Sequence, residues 1–200
     1  MIKAVGLIGT GALVAGTLVG CHSGSSTSPT ATSTTSVPPT SAVAAPTTSA
    51  VPADYINLLI KETDIVAPEA FTAKPPIPNP GGQPGVATSF SNADGSHVIG
   101  DTILVFADEA TANTALEAAK AALGQSVNGT PQPADIGTGG TMASGASPDG
   151  SKSVTVVLFT EGKTFTTLEF DGPVAAEAPE DFVTDVGQKQ DAAIKAGLPG

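Results

Sequence analysis

The single cysteine of the chain, Cys21, closes the run Leu18-Val19-Gly20-Cys21 directly after a short apolar stretch. An aliphatic residue, then a small residue immediately before a thiol, has the spacing of a lipobox. The chemistry such a run supports is transfer of diacylglycerol to the Cys21 sulfur and cleavage of the Gly20–Cys21 bond. Acyl chains of the palmitate type then anchor the new amino terminus. Other reactive side chains are sparse. Nucleophilic catalysis needs a base beside Ser, Thr or Cys. His97 is the only histidine after His22 and reads as a solvated residue at a strand start. Lipid consumes Cys21, and no G-x-S-x-G run occurs. One histidine without a free thiol does not make a zinc set.

Three further runs invite chemistry and have plainer explanations. Ser91-Asn92-Ala93-Asp94-Gly95 resembles the middle of a calcium loop, yet Phe90 would stand at the first ligand position and no glutamate closes it. It reads as a turn. Gly137-Thr138-Gly139-Gly140-Thr141 lacks the lysine and following helix of a phosphate loop, so it reads as a hinge. Asp101, Glu169 and Asp171 fall on strand candidates and could share a face, as a glycosidase pair would need. A sheet face left open to water explains them as well. The expectation is a protein that is not an enzyme, with no metal and no cofactor; a hydrolase built on those carboxylates is the alternative.

The elements that must position these groups begin with a leader. Residues 1–20 carry Lys3 and an apolar stretch that is too short and too interrupted by glycine to span a bilayer as a helix. They read as a cleaved signal peptide. Residues 21–53 are almost entirely Ser, Thr, Pro, Ala and Val. Such a tract buries too little apolar surface to offset its ordering entropy, so a disordered tether is expected, and a candidate O-glycosylation substrate. Together they predict export and lipid anchoring to the outer face of the cytoplasmic membrane.

Charge sets the partners. The chain has eight lysines, no arginine and a net charge of −11. That surface repels phosphate backbones and anionic headgroups, which argues against nucleic acid and leaves the acyl chains on Cys21 to hold the membrane.

Residues 54–198 read as one domain. Tyr55 to Ile65 (YINLLIKETDI) is a short helix or strand leading into a turn, and Ala73 to Gly85, with five prolines, is an irregular loop. Val86–Phe90 and His97–Phe106 form a hairpin about Gly95. Asp108 caps a helix from Glu109 to Leu123, with Ala112, Leu116, Ala119 and Leu123 as its apolar stripe and Gly124 as its stop. Thr141–Ala146, Ser153–Thr160 and Lys163–Asp171 read as a three-strand meander. A last helix covers Glu180 to Ala196, facing inward through Phe182, Val186, Ala193 and Ile194. Expected is an α+β fold: an antiparallel sheet of about five strands with two helices packed on one face.

From Tyr55 to Leu198 the chain resembles small envelope lipoproteins of mycobacteria and related actinobacteria. The residues carrying this are the lipobox and its tether, the YINLLIKETDI segment and the closing DFVTDVGQKQDAAIKAGLP helix. The element order is similar to LpqN-type lipoproteins and to the extracellular sensor domains of mycobacterial serine/threonine kinases. Those sensor domains are usually tied by two disulfides; this chain, with its single cysteine, has none. The resemblance implies a non-enzymatic binding or accessory module whose ligand is an envelope protein, wall glycan or lipid. The sheet face away from the helices or the Ala73–Gly85 loop is the expected binding surface. A lipid or glycolipid carrier, with an apolar cavity between sheet and helices, is the alternative.

Overall fold

A computed structural model of the protein describes residues 54–198. Gly20, Cys21, the leader and the Ser/Thr/Pro tract lie outside the described residues. No helix among the described residues is long and apolar enough to cross a membrane.

The five long strands form where alternation and turn chemistry put them: β3 (Gly85–Ser91), β4 (Val98–Val105), β6 (Thr138–Ala146), β7 (Ser153–Glu161) and β8 (Thr164–Gly172). The sheet, however, has eight strands. The others are two-residue strands: β1 (Thr72–Ala73), β2 (Ile77–Pro78) and β5 (Gln132–Pro133). β1 and β2 both pair with β3, and β5 pairs with β6. The Ala73–Gly85 segment is therefore less irregular than its prolines suggest. Proline has no N–H to donate, so Pro78 and Pro133 sit in strands at the sheet margin, where a one-sided ladder tolerates them.

The order across the sheet is β1-β3-β4-β8-β7-β6-β5, and every pairing is antiparallel. β4 thus lies next to β8, not β6. The chain leaving β4 must cross β8 and β7 to reach β6, and α1 (Glu109–Ala122) makes that crossing. Asp108 caps it, its carboxylate accepting from Thr111 N at 2.8 Å. Ala112 and Leu116 are buried as the stripe requires. Gly124 does not stop the helix in a left-handed turn; the last turn tightens into a 3-10 helix, Leu123–Gln125.

The helices do not share a face. Leu116 and Leu123 pack with Val154, Val156, Leu158 and Phe165. Val183, Val186 and Ile194 of α2 (Glu180–Gly197) pack with Val157, Phe159, Leu168 and Phe170. Val156 and Val157 are consecutive on one strand, so their side chains point to opposite faces. Each face therefore carries one helix. The physical reason is β7 itself: Ser153 to Thr160 are all buried. A central strand apolar on both sides needs a cover on both sides.

On the α2 face the 54–65 segment completes the cover. It contributes two 3-10 turns, Ile56–Leu58 and Glu62–Asp64. α2 holds it through side chains. Gln190 accepts from Ile60 N at 3.0 Å and donates to Leu58 O at 2.7 Å, and Lys189 donates to Asp64 O at 2.8 Å. α2 also packs closely at Gly187, where a Cβ would lie 2.5 Å from Ile136 Cδ1 and the isoleucine would have to shift.

Candidate functional site

The reactive groups singled out by sequence do not converge. Asp101 is paired with Leu168 and so faces α2. Glu169 and Asp171, one residue out of phase with Leu168, point to the other face. There Lys152 Nζ is shared between both, at 3.3 Å from Glu169 Oε1 and 2.5 Å from Asp171 Oδ2. The sheet separates Asp101 from the pair, so the three do not form a carboxylate site.

The Asn92–Ser96 run is a turn. Gly95 takes φ 73° and its N–H donates to Asn92 O at 3.1 Å. The Asp94 carboxylate accepts from the Ser96 hydroxyl at 2.7 Å and from Ser96 N at 2.9 Å, which holds it below the usual carboxylate range. The Gly137–Thr141 run is a packing device at the start of β6. Gly137 has φ 54°, and a Cβ there would meet Phe159 Cδ2 at 2.5 Å.

His97 is half-buried just before β4. Its Nδ1 lies 3.2 Å from Ser96 Oγ and 3.3 Å from Asn92 Nδ2. The Ser96 hydroxyl is already committed to Asp94. That carboxylate bonds the serine rather than the imidazole, so the order of a Ser-His-acid relay is not met. Asn92, buried, also donates to Glu69 Oε2 at 2.7 Å and ties the hairpin tip to the segment before β1.

His97 does have a place in a cleft. An open hollow of about 680 Å³ lies between the 66–71 segment, the first turns of α2 and the β3–β4 turn. Val66, Ala67, Pro68, Phe71, Pro179 and Phe182 make it apolar; Glu69, His97, Asp181 and Asp185 supply its polar groups. Phe182 links it to the core. Its ring stacks on Phe71 at 6.4 Å between centroids and meets Phe170 edge-on at 5.9 Å. A smaller hollow of about 130 Å³ shares Phe71, His97, Pro179 and Phe182 and reaches Ile99 and Phe170.

The volume is in the range of ligand pockets, and an apolar lining with a few polar groups is their usual chemistry. Val66, at the margin, is 71% exposed. A large apolar side chain held at a concave surface marks an interaction site more often than a scattered surface residue does.

Neither surface expected from sequence is this cleft. No sheet face is free of a helix. The Ala73–Gly85 loop does line a groove of about 890 Å³ with Asp54, Ile56, Lys61 and Glu62, but its one phenylalanine, Phe90, is fully buried. Phe71 and Val66 were missed because Val66-Ala67-Pro68-Glu69-Ala70-Phe71 follows neither strand nor helix period. That was also the available signal: apolar residues in a segment without periodicity have no element of their own to bury them. No protein-family model matches the chain, and a comparison with curated proteins finds no match, so the cleft's geometry and chemistry carry the functional argument.

Proposed function

We propose that the protein is an exported lipoprotein, anchored by acyl chains on Cys21 to the outer face of the cytoplasmic membrane. In this reading its domain is a non-catalytic binding or accessory module, and the Phe71–Phe182 cleft is the binding site. The cleft is the observation that supports this reading best. It offers open apolar volume with aromatic walls, while the carboxylates that could do hydrolytic chemistry are held apart or ion-paired. Because the void is open rather than enclosed between sheet and helix, it favours a binding module over a lipid carrier.

The anchor has a direct test. Cys21→Ala, expressed in a bacterium that processes lipoproteins, is expected to lose palmitate labelling and shift from the membrane fraction to the soluble one. Retention of both in the variant would rule out lipidation at this residue. The covalent link matters because a surface of net charge −11 has no attraction of its own for anionic lipid.

The site is tested with an uncharged fluorescent probe, N-phenyl-1-naphthylamine, whose emission rises in apolar surroundings. Binding to the full chain is expected to weaken about tenfold in Phe71→Ser, which removes one wall and leaves the core ring Phe170 in place. Equal binding by variant and parent would move the site elsewhere. Acyl lipid co-purifying with the protein would instead favour the carrier.

A further inference from the structure

We propose that the cleft takes an apolar peptide segment bearing lysine or arginine, presented by a partner protein. This deepens the binding-module reading and rests on it.

Charge complementarity selects the occupant. Glu69, Asp181 and Asp185 stand around apolar walls, and among the described residues no lysine lines the cleft. Glu177 adds a carboxylate to the smaller hollow. The nearest counter-charge on α2 is Lys189, and it is engaged by Asp185 at 2.7 Å and by Asp64 O at 2.8 Å. Among the described residues Glu69 uses only Oε2, on Asn92, and Asp181 uses only Oδ1, on Phe182 N. Each keeps an oxygen for a donor on the ligand. The positive end of the α2 dipole is about half a charge, too little to reverse Glu69 and Asp181, which remain once Lys189 offsets Asp185. A cation is therefore favoured here.

Two features point to a peptide rather than a small amine. The apolar wall of the hollow opens onto the surface at exposed Val66. The acidic groups are also spread over two elements, the 66–71 segment and α2, which suits side chains spaced along a chain. A net charge of −11 on the whole protein would steer such a segment inward.

The test titrates the full chain with three capped peptides of one shape: Leu-Lys-Phe-Lys-Leu, Leu-Gln-Phe-Gln-Leu and Leu-Glu-Phe-Glu-Leu. The lysine peptide is expected to bind about tenfold tighter than the glutamine peptide, the glutamate peptide weakest of all. Raising salt to about 0.5 M should erase most of the difference. The double variant Glu69→Gln with Asp181→Asn keeps shape and removes charge, and should bring the lysine peptide down to the glutamine peptide's affinity. Equal binding of all three peptides, lost in Phe71→Ser, would overturn the cationic proposal and leave the apolar site standing. Octyltrimethylammonium binding as tightly as the lysine peptide would overturn the peptide in favour of a small cation. If neither the peptides nor N-phenyl-1-naphthylamine bind, the binding-module reading itself falls.

Discussion

Asp101→Asn is expected to stabilise the domain at neutral pH by about 4 kcal/mol and to flatten its pH dependence. Asp101 is fully buried on β4, on the face that packs under α2, and neither carboxylate oxygen has a hydrogen-bond partner among the described residues. Burial alone pushes the carboxyl from 3.8 up to about 8. The sign follows from proton counts. Between those two values the folded protein holds a proton that the unfolded chain has released. Stability from this group is thus fully present below pH 3.8, declines as pH rises through the window by up to about 1.4 kcal/mol per unit, and is gone above about 8. Asparagine imitates the protonated acid at every pH. Variant and parent should therefore match near pH 4 and separate steadily toward pH 8. Urea unfolding at half-unit pH steps measures this. Parallel curves for the two proteins from pH 4 to 8 would mean the buried carboxylate is compensated. The effect is large because a domain of this size holds only about 5–15 kcal/mol in all.

Gln190→Leu should act in the opposite direction, lowering stability by roughly 4 kcal/mol. The side chain is fully buried and serves as a two-ended clasp between α2 and the 54–65 segment. Leucine fills the space but pairs with neither Ile60 N–H nor Leu58 C=O. Both groups lie in the core, and each unpaired one costs about 1–3 kcal/mol. Amide exchange at Ile60 should accelerate at least as much as global exchange, since the segment is freed first. A loss below about 1 kcal/mol, with Ile60 still protected, would show that the segment docks by apolar packing alone.

The secondary structure was legible to a good degree. Asp108 as a cap, the Ala112–Leu123 stripe, the turn at Gly95 and five long strands could all be read locally, because capping, periodicity and turn conformation are properties of neighbouring residues. Two readings failed where the answer lay in distant residues. Expecting both helices on one face required β7 to have a wet side. Its run of Val154, Val156, Val157, Leu158 and Phe159 already argued against that. The Pro-rich loop contributed β2, and its first residue belongs to β1, because β3 offered unpaired groups, which no local rule reveals. At the candidate site, His97 was noticed but its surroundings were not. Its neighbours Phe71 and Phe182 are about 110 residues apart in the chain.

By itself the sequence determined the spacing around Cys21, the acidity of the surface, and the type and order of the long elements, since each is written in adjacent residues or in composition. Only the tertiary structure decided which strand lies beside β4, which face each helix covers, and that Asp101 stands apart from Glu169 and Asp171. It also decided that Val66, Phe71 and Phe182 meet in a cleft. Strand alternation assigns a side chain to one of two faces, but which face is wet depends on what packs there from elsewhere in the chain.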